Sequence, residues 1–132
     1  MQRTKVISLL LIALAVVFTS ACSSSPKSET QDPAAVVIDW ATDPVQVKAG
    51  SETKLTATIS GLIYETGTRV SLEIRQADNK ALPDLINELE EAGNGQYTTK
   101  YIFKHAVTYQ VYVHLYNRDL HVVKKKTVEV SE

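Results

Sequence analysis

Few side chains in this sequence have the type and spacing for chemistry. His114 and His121 stand seven positions apart, on either side of Asn117-Arg118-Asp119. Neutral imidazole suits zinc, copper or nickel, so two antiparallel strands joined at that turn would bring the pair together as a partial metal site, with a carboxylate such as Asp119. A closed site needs three or four ligands, more than two histidines supply. Copper(I), which prefers soft sulfur, is disfavoured, since the single methionine is Met1 and the single cysteine is Cys22. The same pair could equally serve as a proton sensor. His105, beside Lys104, reads as a solvated loop residue.

Nucleophilic catalysis calls for a serine or cysteine in a sharp turn with a histidine base and an orienting acid. No G-x-S-x-G, H-E-x-x-H, phosphate-binding loop or cysteine pair occurs. A small domain without pocket-forming insertions also offers few places to exclude water. The expectation is therefore a protein that is not an enzyme. Lys124-Lys125-Lys126 could form a patch for anionic headgroups, envelope polymers or an acidic protein partner. Lysines also guard edge strands against pairing with other chains, and the acidic balance of the domain favours that role. Glu88, Glu90 and Glu91 read as a solvated acidic face, without the spacing of a calcium loop.

These residues are carried by a chain of 132 positions, 44% hydrophobic and 22% charged, whose N-terminus is unlike the rest. Arg3 and Lys5 precede an almost wholly apolar run from Val6 to Phe18, and Thr19-Ser20-Ala21 supplies small residues before Cys22. The apolar run is shorter than the roughly 20 residues that span a bilayer, so it reads as a secretory signal peptide. Small residues followed by cysteine resemble a bacterial lipobox, in which the thiol receives a diacylglyceryl group. Thr19 departs from the leucine usual at its position. Cys22 is accordingly the expected lipid attachment site, and the acyl chains would anchor the mature protein outside the cytoplasm. The anchor would lie in the outer leaflet of the cell membrane, or in the outer membrane of a two-membrane host.

The expected organisation is a lipoprotein signal peptide over 1–21, the acylated cysteine with a flexible Ser-, Pro- and charge-rich linker over 22–34, and one domain over 35–132. About 100 residues bury a single small core, with little room for haem or flavin. Losing Arg3 and Lys5 takes the formal charge from −1 to about −3, which disfavours a nucleic-acid partner.

From residue 36 onward short alternating runs recur, separated by Gly, Pro, Asn and Asp. Leu55, Ala57 and Ile59 share one face, as do Val70, Leu72 and Ile74, then Tyr97, Thr99, Tyr101 and Phe103, then Tyr109, Val111, Val113 and Leu115. Leu85 to Glu91 admits a short helix, but Pro83 before it and Gly93-Asn94-Gly95 after it favour a strand. Seven strands with no strong helix predict an antiparallel immunoglobulin-like β-sandwich. Tyr109 stands where a tyrosine corner would, and ordinary core packing would explain it as well.

Gly93-Asn94-Gly95-Gln96-Tyr97, the run from Val107 to His114, and Leu120-His121-Val122-Val123 leading through the lysines to Val130 together resemble the YtkA-like domain of bacterial lipoproteins. Pro44 to Gly50 and Leu55 to Ile59 fit the same pattern. The resemblance implies a lipid-anchored β-sandwich related to domains found near copper-handling proteins, and it is the origin of a copper or zinc expectation here. Family members often carry methionine and proline after the second histidine, where this chain has Val123 and Lys124. The leading expectation is a cell-envelope lipoprotein bearing a non-catalytic binding module for an envelope protein. Its rival is an accessory metal-handling protein using His114 and His121.

Overall fold

Alternation of apolar and polar residues forces one face of each strand inward, and the computed structural model, which describes residues 29–132, packs those faces into two sheets. The signal segment and Cys22 lie outside the described residues. Nine strands follow in order: β1 (Val37–Asp43), β2 (Val47–Lys48), β3 (Glu52–Ser60), β4 (Arg69–Gln76), β5 (Asp84–Ile86), β6 (Glu90–Gly93), β7 (Gln96–Ile102), β8 (Thr108–Asn117) and β9 (Leu120–Ser131). One sheet has the order β1-β3-β7-β6 and the other β2-β9-β8-β4-β5. The fold is an all-β sandwich.

The nine strands exceed the seven expected, in part because one expected strand is two. Leu85 to Glu91 is extended as read, but it splits: β5 pairs with β4 in one sheet and β6 with β7 in the other. Leu89, buried between the two pieces, pins the crossing with an N–H to the Val70 carbonyl at 2.8 Å. The sandwich is also not wholly antiparallel, because short β2 runs parallel to the end of β9.

The core sits where the alternation placed it. Leu55, Ala57 and Ile59 of β3 face Val70, Leu72 and Ile74 of β4 and Val111, Val113 and Leu115 of β8, all buried. Each of these side chains larger than alanine contributes about 1.5–3 kcal/mol of transfer free energy. Tyr109 is buried, and its hydroxyl accepts the backbone N–H of His105 at 3.2 Å, the bond that defines a tyrosine corner. Tyr101 Oη of β7 donates to Asp84 Oδ2 of β5, which clasps one sheet to the other. Burial, and then that bond to a carboxylate, push the Tyr101 phenol above its ordinary range. Its contribution to stability is present below the ordinary phenol range and is lost as pH rises beyond it.

The segment before β1 is fixed by a side chain rather than by a ladder. Gln31 accepts the Ile63 N–H at 2.7 Å and donates to the Gly61 carbonyl at 3.1 Å, so the chain is tied to the sandwich before β1 begins. At the β6–β7 hairpin Asn94 and Gly95 have φ of 53° and 72°, the pair of left-handed residues that a two-residue turn demands. A Cβ on Gly95 would lie 2.5 Å from the Ile59 carbonyl oxygen. Gly95→Ala is therefore expected to cost more than the roughly 1–2 kcal/mol of a left-handed L-residue, measured by thermal unfolding against the parent.

Candidate functional site

β8 is central in its sheet, and its burial alternates without interruption over all ten residues. That fixes Gln110, Tyr112, His114 and Tyr116 on the outer face. β9 returns antiparallel through a two-residue turn at Arg118-Asp119, pairing Tyr116 with His121 and His114 with Val123. His121 is thus one step diagonal to His114 on the same face, within reach of a side-chain contact.

The two histidines meet as the spacing implied. His114 Nδ1 and His121 Nε2 are 3.3 Å apart. Three rings lie nearly parallel: Tyr116 stacks on His121 with centroids 4.3 Å apart at 10°, and the His114 and His121 centroids are 5.5 Å apart at 18°. Arg69 of β4 lies over Tyr116 at 5.8 Å. This packing holds His121, itself exposed, in one plane.

The carboxylate that joins them is not Asp119. Asp119 sits in the turn and lines a cleft of about 350 Å³ with Tyr64, Arg118 and Gln31, whereas Glu73 Oε2 of β4 lies 3.7 Å from His114 Nε2. Glu73 is only 17% exposed and its other oxygen is bound by the guanidinium of Arg75, which lies 5.3 Å over Tyr112. Alternation along β4, with Val70, Leu72 and Ile74 inward, leaves Ser71, Glu73 and Arg75 on the outer face, but nothing in the sequence signals which strand flanks β8. Only the β4–β8 register, which sets Ser71 against His114, brings Glu73 beside the ring. Among the described residues, no three of His, Cys, Asp and Glu converge as a closed metal-ligand set.

The lysine run does not form one patch. Successive strand residues point to opposite faces, so Lys125 lies outward beside Tyr112, while Lys124 and Lys126 occupy the inward phase of β9. Lys126 Nζ crosses to the other sheet and donates to the Ile38 carbonyl at 2.6 Å. An ammonium on an edge strand's open carbonyl is what discourages strand addition there. His105 is exposed in the β7–β8 loop, and Cys22 lies outside the described residues.

No family model matches the chain, and no curated protein matches it in sequence. Among solved structures, it is similar to a variant of the superoxide reductase (neelaredoxin) from Ignicoccus hospitalis, at a TM-score of 0.50 and 13% identity over 73% of this chain and 79% of that one. The unmodified Ignicoccus hospitalis protein aligns at a TM-score of 0.47 and 13% identity over 73% of this chain and 80% of that one. At this identity the first likeness speaks for the fold alone. It nonetheless corrects two expectations, the non-catalytic module and the exclusion of an enzyme. Both rested in part on a small sandwich being short of places for chemistry, and the protein similar to it in fold is a superoxide reductase.

Proposed function

We propose that the protein is an accessory metal-handling protein that holds a borderline divalent cation, copper(II) or zinc, between His114 and His121. The observation that carries this reading is the 3.3 Å separation of the two facing nitrogens. Two imidazole nitrogens bound at about 2.0–2.1 Å to one tetrahedral ion stand about 3.3 Å apart, so the pair is spaced for a shared cation. A bound ion would act as a Lewis acid with its remaining positions facing solvent, since His121 is exposed on an open sheet face. The protein's own part is to fix two donors on neighbouring strands and to hold their planes with Tyr116.

The reading includes export and anchoring through acylated Cys22, in keeping with the YtkA-like resemblance and with a membrane as the first partner. Titration of the purified full-length chain with zinc and with copper(II), followed by calorimetry, is expected to give saturable one-to-one binding that His114→Ala and His121→Ala each remove. Binding that persists in both variants would sink the proposal. Because a sandwich of this shape carries a superoxide reductase, the loaded chain is also to be assayed for superoxide consumption. A metal-dependent rate lost in His114→Ala would make the pair a reaction centre. Intact-mass measurement showing a free Cys22 thiol would remove the anchor.

A further inference from the structure

His114 is held from both sides. Its Nε2 faces Glu73 Oε2 at 3.7 Å and its Nδ1 faces His121 Nε2 at 3.3 Å. A neutral imidazole carries one N–H, and which nitrogen bears it decides which one can bind a cation. An ionised carboxylate only accepts, so it favours a proton on the nitrogen it faces and disfavours a lone pair there. The 3.7 Å contact is longer than a hydrogen bond, so its influence is through charge. Glu73 is tied by Arg75 through its other oxygen and is largely buried, which keeps it beside the ring. The Arg75 guanidinium also makes the Glu73 side of the ring a poor place for a second cation.

We infer that Glu73 is a positioning residue that keeps the His114 proton on Nε2 and thereby leaves Nδ1 as the donor turned toward His121. Without metal, the His121 Nε2–H then donates to Nδ1 of His114. With metal, the cation takes the place of that proton between the two nitrogens. Arg75 keeps Glu73 in the outer ring of contacts, where it orients a ligand without becoming one, as carboxylates behind metal-bound histidines do. The choice of donor atom rests on the metal reading given above; the tautomer of the metal-free protein does not.

The experiment uses the full chain labelled with ¹⁵N at histidine, metal-free and at a pH where imidazole is neutral. Long-range ¹H–¹⁵N correlations are expected to show His114 protonated on Nε2 in the parent. In Glu73→Leu a population protonated on Nδ1 should appear, and zinc affinity should fall by about 10–100-fold. Glu73→Gln keeps the size of the side chain but removes its charge, so it is expected to shift the tautomer as the leucine variant does, and it decides the question should the leucine variant not fold. A parent His114 protonated on Nδ1, or a tautomer indifferent to residue 73 in the folded variants, overturns the inference. If the parent takes up no zinc while the tautomer still follows Glu73, the metal reading alone falls.

Discussion

Phe103→Ala will lower the free energy of unfolding by about 3–5 kcal/mol, read from denaturant melts of the two proteins. Phe103 is fully buried directly after β7, and its ring lies edge-on between Tyr101 and Tyr109, with centroids 4.8 Å from each. Alanine removes the largest fully buried side chain together with two aromatic contacts worth about 0.5–1.5 kcal/mol each. The loss should spread to the Tyr101–Asp84 clasp between the sheets, because the same ring supports Tyr101. A change below about 1.5 kcal/mol would mean the neighbours collapse into the void and that this aromatic row is not the anchor argued for.

Asn117→Leu is expected to cost about 2–3 kcal/mol, although leucine is apolar, similar in size and placed in a buried position. The Asn117 amide donates to the Tyr64 carbonyl at 3.0 Å and to Thr68 Oγ1 at 2.8 Å, with the Thr66 carbonyl at 3.5 Å. Leucine leaves those acceptors unpartnered, and Asn117→Asp, which cannot donate when ionised, should fare no better. The site should feel the change too. Asn117 ends β8 directly after Tyr116, the ring against which His121 is stacked, so zinc affinity should fall in both variants before the protein unfolds. Stability and affinity unchanged in Asn117→Leu would show that the loop over residues 61–68 contributes nothing to the hairpin.

What could be read from the chain follows how local the information is. β3, β4, β7 and β8 were legible because their alternation is strong and their inward residues, apart from Thr53, Thr99 and Asn117, are aliphatic or aromatic. β9 was legible only at its ends: Lys124 and Lys126 stand at inward-phase positions, and that breaks the pattern in the middle of a twelve-residue strand. The split of 84–93 was hidden because its pieces have three and four residues, too few to show which sheet each joins. The meeting of His114 and His121 was legible since one short turn separates them. Glu73 was not, because its neighbour lies 41 positions along the chain and only the β4–β8 register relates the two.

The crossing at Leu89 has a consequence for how chains of this kind can diverge. Residues 84–86 answer to the register of one sheet and 90–93 to that of the other, with only three residues to span the gap. A deletion or insertion of one residue between Ile86 and Glu90 would shift one strand by a full side-chain alternation or pull Leu89 from its hole. Length drift among relatives should therefore be absent from this short bridge and tolerated in 78–83, where the backbone answers to no ladder.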